Sequence, residues 1–369
     1  MENAVKMTRL TSGSIQINEP LKQDFFDEQG KLLLCKGYRI QTNEQLQELV
    51  KRGLYFDPSQ TPQAAPTLAK LSSFETWATA QNKLAQLLQK PPLDGTFTEK
   101  ISKLAKNIRE ATLKSSNAAI AAMMLADYDA YPISHSFHVA LLANLLAHRL
   151  KWSDQNIDTL VCAALTMNIA MIRIQGELCH LKGPLNDAQK RSIEIHPTLG
   201  VALLERLGVQ DKHWLRAVQE HHESPGGGGY PGKIENPCEA AMIIRTCDIF
   251  SAKISPRAAR KPMDAAQAAK VLFVNEGIDA KNPFSSLLIK EVGIYPPGCI
   301  VQLSNQETAI VLRRGQTAHT PIVQVLKTAN NLVVVDSIQR DTAKKPYTIQ
   351  KTILREEAAV AINAEKLWP

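Results

Sequence analysis

Apolar and polar positions follow three different rhythms along this chain. Over the first sixty residues the runs are short. "GSIQINEPL" alternates with a period of two, and "DEQGKLLLCKGYRI" reads as turn, strand, turn. "TNEQLQELVKRG" opens with Thr42 and Gln45 at capping-box spacing and stops at Gly53, which predicts a helix. These features predict a small α/β module over residues 1–60, and the Pro-, Gln- and Ala-rich stretch that follows predicts a linker over 61–73.

From residue 74 the apolar positions recur every three or four residues, the period of a helix with one buried face. The pattern predicts a helical connector over 74–125 and a helical domain over 126–290. "SFHVALLANLLAHRL", "DTLVCAALTMNIAMIRI", "DAQKRSIEIHPTLGVALLERLG", "KHWLRAVQEHHE" and "NPCEAAMIIRTCDIFSAK" are its main helices. Several are apolar nearly all round, as helices inside a bundle are. After "GIYPPG" the period returns to two, which predicts a β extension over 291–345 and leaves 346–369 as a tail or short terminal helix. The expected class is mainly α: a helical bundle with a small β-containing amino-terminal module and a short carboxy-terminal β extension.

Composition adds limits. Hydrophobic residues make up 44% and charged residues 21%, enough apolar surface for a large core. The net charge of +7 has no dense Lys/Arg cluster behind it, so it suits an anionic small ligand and argues against nucleic acid. The six cysteines show no C-x-x-C spacing and read as reduced thiols, neither a disulfide framework nor a zinc knuckle. The first twenty residues lack the apolar core of a signal peptide, and no segment has the ~20 uninterrupted apolar residues of a membrane span. A cytoplasmic protein is the expectation.

The candidate chemistry lies in the helical region. His135 is near the start of one helix, His196 sits beside Pro197 in another, His221 and His222 end a third, and Asp248 interrupts the very apolar "CDIFSAK". Each has a plain explanation when taken singly. A lone helical histidine is usually satisfied by a hydrogen bond, Asp248 has Arg245 on its own helix for a partner, and "GGGG" after the histidine pair reads as a surface loop. Together they point to one metal pocket, because a bundle brings ligands from facing helices to one place.

With these residues in place, the chain resembles the HD-GYP subclass of the HD metal-dependent phosphohydrolases, whose best-known activity is hydrolysis of the bacterial messenger cyclic di-GMP. The resemblance runs over about Ala126 to Leu326. "DAYPISHSFHVALLANLLA", "IEIHPTLGVALLERLG", "HHESPGGGGYPG", "IIRTCDIFSAKISPRAAR" and "GIYPPGCIVQLSNQETAIVL" occur in the family's order. It implies an HD-type bundle with metal ligands at His135, His196, His221, His222 and Asp248. It also implies phosphate contacts at Lys182, Arg257 and Arg260, and a GYP loop at Gly229, Tyr230 and Pro231.

The same resemblance exposes a gap. The family's adjacent His-Asp pair and following lysine fall in "AALTMNIAMIRI", on Met167, Asn168 and Met171. Gly226 takes the place of the loop aspartate, Ser251 and Lys253 stand in the family's "DAL", and Ala259 replaces a tyrosine between the two arginines. In such enzymes the aspartate of the pair bridges two cations. Two divalent ions about 3.5–4 Å apart repel one another by on the order of 20 kcal/mol at an effective dielectric near 20. Asn168 supplies no charge against that repulsion, and the Met167 thioether is poorly matched to Fe, Mn or Mg.

Three functions follow as expectations. The first is a catalytically impaired signalling protein with one divalent transition metal (Fe, Mn or Zn), acting by binding cyclic di-GMP or another nucleotide, or a signalling protein through the GYP loop. The second is an active cyclic di-GMP phosphodiesterase with a remodelled metal site. The third is a docking platform whose histidines are structural remnants.

Overall fold

The computed structural model describes the chain from Ser73 to Trp368 except for 127–130, 256–261, 280–281 and 335. Before Ser73 it describes residues 8–9, 19–21, 24–29, 32–34, 37–38, 40, 42, 45–47, 49 and 55–56. The chain divides into two compact units, Met1–Lys70 and Leu71–Pro369.

In the first unit β1 (Thr8–Arg9), β2 (Phe25–Phe26), β3 (Leu32–Leu34) and β4 (Tyr55–Phe56) form a four-stranded sheet of order β1-β4-β2-β3. Leu21, Phe25 and Ile40 make its small core. The turn–strand reading of 27–40 matches β3. Residues 45–47 are helical, and the Gln45 N–H donates to Thr42 Oγ1 at 3.2 Å. Most of "GSIQINEPL", the Gly53 stop and the linker lie outside the described residues.

The second unit is a helical bundle. Helices α1 (Ser73–Gln89), α2 (Phe97–Lys114) and α3 (Ser116–Leu125) precede α4 (Tyr131–Arg149), α5 (Asp154–Thr166), α6 (Ile172–Cys179), α7 (Asp187–Arg206), α8 (Lys212–Glu220) and α9 (Glu239–Ile254). Then come α10 (Ala265–Leu272), a π-helical turn over Phe273–Asp279, and α11 (Phe284–Val292). Helix α4 is central, buried along almost its whole length as its apolar sequence requires. The expected connector is no separate piece, because Trp77, Leu84, Phe97, Ile101 and Ile108 share one core with Phe137, Leu142 and Val161. Arg109 pins α2 to α5 through Asp154 and Asp158, both at 2.7 Å.

The single helix expected over "DTLVCAALTMNIAMIRI" is broken. It stops at Thr166, passes through Met167 and Asn168, makes a 3-10 turn at Ile169–Met171 and restarts as α6. The side chains explain the site of the break. Thr166 Oγ1 donates back to the Cys162 carbonyl and accepts the Trp214 indole N–H from α8 at 2.7 Å. This ties the end of α5 to another helix and turns the next residues inward. The run Asp154–Cys179 is long and apolar enough to cross a bilayer by composition, yet 67% of its most apolar window is buried in the bundle, as in a core helix.

The carboxy-terminal sheet contains β5 (Ile300–Leu303), β6 (Thr308–Arg313), β7 (Ile322–Lys327), β8 (Gln339–Asp341) and β9 (Ile349–Ile353), in the order β8-β7-β6-β5-β9. The tail expected over 346–369 is instead part of this layer. β9 pairs antiparallel with β5, aligning Ile300 with Ile353, and the buried Trp368 donates its indole N–H to the Leu312 carbonyl at 2.7 Å. Alternation over "TIQKTI" pairs a strand here, and the terminal tryptophan needs a cover for its apolar body. Arg314 joins the sheet to the bundle by bonding Ser116, Asn117 and Glu291.

Candidate metal centre

The middle of one helix and the end of another converge on one buried spot. Helix α7 begins with a reciprocal capping box between Asn186 and Gln189 and carries His196 on its inner face. Helix α8 starts at the Asp211 cap and ends at Glu220, so His221 and His222 lie just past its last turn. One ring nitrogen from each of His196, His221 and His222 lies within 4.8 Å of the others.

The hydrogen bonds fix which nitrogens face inward. His196 Nδ1 donates to the Ile193 carbonyl and His221 Nδ1 to the Val218 carbonyl, both at 2.6 Å. A carbonyl only accepts, so each Nδ1 carries the proton and each Nε2 keeps its lone pair. Those two Nε2 atoms face each other at 3.2 Å. Burial, reinforced by His221, lowers His196 to about 3. Burial also lowers His221, and burial and the His221 charge push His222 well below the ordinary imidazole value. Two neutral rings with opposed lone pairs lack a donor between them, and a cation supplies that need. Ligand nitrogens ~2.0–2.1 Å from a tetrahedral ion stand about 3.3 Å apart, so the His196–His221 pair has the right spacing. The residues fit a single divalent transition metal.

Asp248 closes the other side. Its Oδ2 is 3.9 Å from His222 Nδ1, and its Oδ1 accepts from His135 Nε2 at 2.6 Å. Burial alone would raise this carboxyl, but the His135 hydrogen bond and the nearby imidazoles outweigh it and hold Asp248 well below the usual carboxylate range. Because Asp248 only accepts, His135 Nε2 carries a proton, and the Ser251 hydroxyl lies 3.3 Å from His135 Nδ1. His135 also stacks on Tyr131 with ring centroids 5.3 Å apart. It therefore reaches the other three histidines only through Asp248 and stands outside their close group.

Two plain readings of the sequence are corrected. Arg245 does not pair with Asp248: its guanidinium forms a bidentate pair with Glu276 at 2.8 and 2.9 Å and donates to the His222 carbonyl at 3.0 Å. The glycine segment is no slack surface loop. Glu223, only 1% exposed, accepts the N–H groups of Gly232 and Ile234 at 2.5 and 3.0 Å. Tyr230 stacks on His222 with centroids 4.6 Å apart, and its N–H donates to the His222 carbonyl. A Cβ on Gly229 would stand 2.4 Å from Glu223 Cα and 2.5 Å from the His222 carbonyl oxygen, so only glycine allows this fold-back.

The Met167–Asn168 turn lies against the histidine helix. Gly200, one turn after His196, brings α7 close enough that its Cβ position is 3.8 Å from the Met167 carbonyl oxygen. Met167 is fully buried, Met171 is 8% exposed, and Asn168 is 4% exposed with its side-chain oxygen unpartnered. Lys182 is exposed in the segment between α6 and α7. Arg257 and Arg260 lie outside the described residues. Sequence reasoning missed Glu223, Arg245, Glu276 and Ser251 as members of this site. Glu223 was visible beside the histidine pair, but the partners of the others come from distant segments.

The comparisons agree with this architecture. Residues 119–281 match the family model for the HD domain. The chain is 27% identical over 273 residues to the cyclic di-GMP phosphodiesterase PA4108 of Pseudomonas aeruginosa, covering 73% of this chain and 65% of that protein. It is 27% identical over 241 residues to the 3'3'-cGAMP-specific phosphodiesterase 3 of Vibrio cholerae, covering 63% and 48%. The matched region thus spans about half to two thirds of these relatives. Among solved structures, Bd1817, an HDG"Y"P protein from Bdellovibrio bacteriovorus, superposes with a TM-score of 0.51 at 14% identity, covering 76% of this chain and 96% of that one, a likeness of fold. Residues 119–281 of this protein thus match the HD domain, and the chain is homologous to cyclic di-GMP phosphodiesterases of the HD-GYP type.

Proposed function

We propose that this protein is a signalling protein on a phosphodiesterase scaffold that holds one divalent metal and binds a cyclic dinucleotide or a protein partner without turning the nucleotide over. One observation carries this reading: the turn against the His196 helix presents Met167, Asn168 and Met171, buried and uncharged. His196, His221, His222 and Asp248 would hold the ion, with His135 fixing Asp248. Such an ion supplies Lewis-acid polarisation of a phosphoryl oxygen. This chain's own residues offer no second anionic bridge at the turn, and no base there to take a proton.

Tyr230, stacked on His222, would form one wall of the ligand site, and the Glu223 bonds would keep that wall in place. Lys182, Arg257 and Arg260 are the proposed phosphate contacts, and the Gly229–Pro231 segment is the proposed partner surface. The homology to enzymes named for cyclic di-GMP and 3'3'-cGAMP makes cyclic dinucleotides the ligand class to try first. Calorimetric titration with both compounds tests this. Binding with the nucleotide recovered intact supports the reading, and recovery of a linear product overturns it.

The active-enzyme alternative is favoured by one feature, the continuous chain His135–Asp248–His222–His221–His196. It requires measurable turnover by the unmodified protein.

A further inference from the structure

The His222 carbonyl lies just past the end of α8, where helix carbonyls have no partner within the helix. Here it takes two donors, the Tyr230 N–H at 3.3 Å and an Arg245 guanidinium N–H at 3.0 Å. Arg245 reaches it from α9, the helix that also supplies Asp248. The rest of its guanidinium fork is held in a bidentate pair by Glu276, from the π-helical turn. Both side chains are largely buried, Arg245 at 18% and Glu276 at 6% exposure. Desolvating such a pair is costly. A guanidinium beside a cation site would also repel the ion, and the Glu276 carboxylate cancels that charge where it arises.

We infer that Arg245, backed by Glu276, is a positioning residue that sets the affinity of the histidine cluster for a divalent cation. It does so by fixing the main chain at His222 relative to Asp248. This rests on the reading that the cluster binds a metal. Arg245 touches the carbonyl of a candidate ligand and none of the ligand nitrogens, so it acts through His222.

Titrating Co2+ alone into the metal-free full chain, followed by the visible absorption of the bound ion, tests the inference. Arg245→Met is expected to weaken Co2+ binding by ~10–100-fold, the usual effect of losing a group that orients a ligand. Arg245→Lys should recover part of the loss, because an ammonium can reach the carbonyl but cannot form the bidentate fork. Glu276→Gln, which keeps the guanidinium but leaves its charge uncancelled, should also weaken binding, and it serves if Arg245→Met fails to fold. Arg314→Met cuts a part-buried arginine network elsewhere. It should lower the melting temperature and leave Co2+ affinity unchanged.

Equal Co2+ affinity in wild type, Arg245→Met and Glu276→Gln overturns the inference. No Co2+ binding by wild type overturns the metal reading itself, a result separable from the first because no variant is needed to see it.

Discussion

The Nε2 atoms of His196 and His221 face each other at 3.2 Å, each with its ring's only proton committed to a carbonyl on the preceding turn. Without a cation this is a local conflict inside an otherwise apolar bundle. Substituting His221→Leu should therefore cost the metal-free protein little, while abolishing the stabilisation that added Zn2+ or Mn2+ gives wild type. That stabilisation is about 2.7 kcal/mol when free metal is 100 times its Kd. Melting curves with and without metal decide the point, and a His221→Leu protein that still gains stability from metal would refute it.

Gly229 should tolerate no side chain. Its Cβ would meet backbone atoms of His222, Glu223 and Ser224 at 2.4–2.5 Å. Gly229→Ala is expected to cost about 1–3 kcal/mol through overpacking and to lift Tyr230 from His222. Urea unfolding reads the first effect and metal affinity the second. Unchanged values for both would mean the loop has another low-energy course.

Acid should weaken the fold in a defined window. Burial, with the His135 charge adding, lowers His138 to about 3 from the ordinary 6.5. Between those values the unfolded chain takes up the proton and the folded one does not. Stability is thus fully present above about pH 6.5 and declines toward pH 3, by up to about 1.4 kcal/mol per pH unit for each such group. His138→Leu should reduce that slope by about one proton, measured as the pH dependence of the urea midpoint. An unaltered slope would show that His138 is already protonated in the fold.

The Trp214–Thr166 hydrogen bond, buried and 2.7 Å long, holds the turn that follows α5. Trp214→Phe removes the donor and leaves most of the ring. About 0.5–1.5 kcal/mol should be lost for the bond, plus a packing cost for the missing ring. Double-mutant coupling with Thr166→Val measures the bond itself, and a coupling energy near zero would deny it any role.

Helical periodicity made the bundle legible, and the quoted segments carry the candidate ligands. The histidine triad needed only the assumption that facing helices converge. Other features were not legible, for physical reasons. The break after Thr166 depends on an indole 48 residues away, which no local pattern records. Arg245 had an obvious neighbour in Asp248, yet buried Glu276 from the π-helical turn claims it. Four glycines read as slack, whereas two backbone N–H bonds to Glu223 tie the segment down. β9 was hidden because "TIQKTI" carries mixed polar positions that suit an edge strand and a terminal helix alike.

The central claim is that the pocket holds one cation and lacks the means to bridge two. Its most direct test is elemental analysis of the full chain beside turnover of cyclic di-GMP and 3'3'-cGAMP with added Mn2+ or Fe2+. One metal per chain without turnover is the predicted result. Two metals per chain with turnover would contradict it, and would mean that residues other than Met167 and Asn168 supply the bridge.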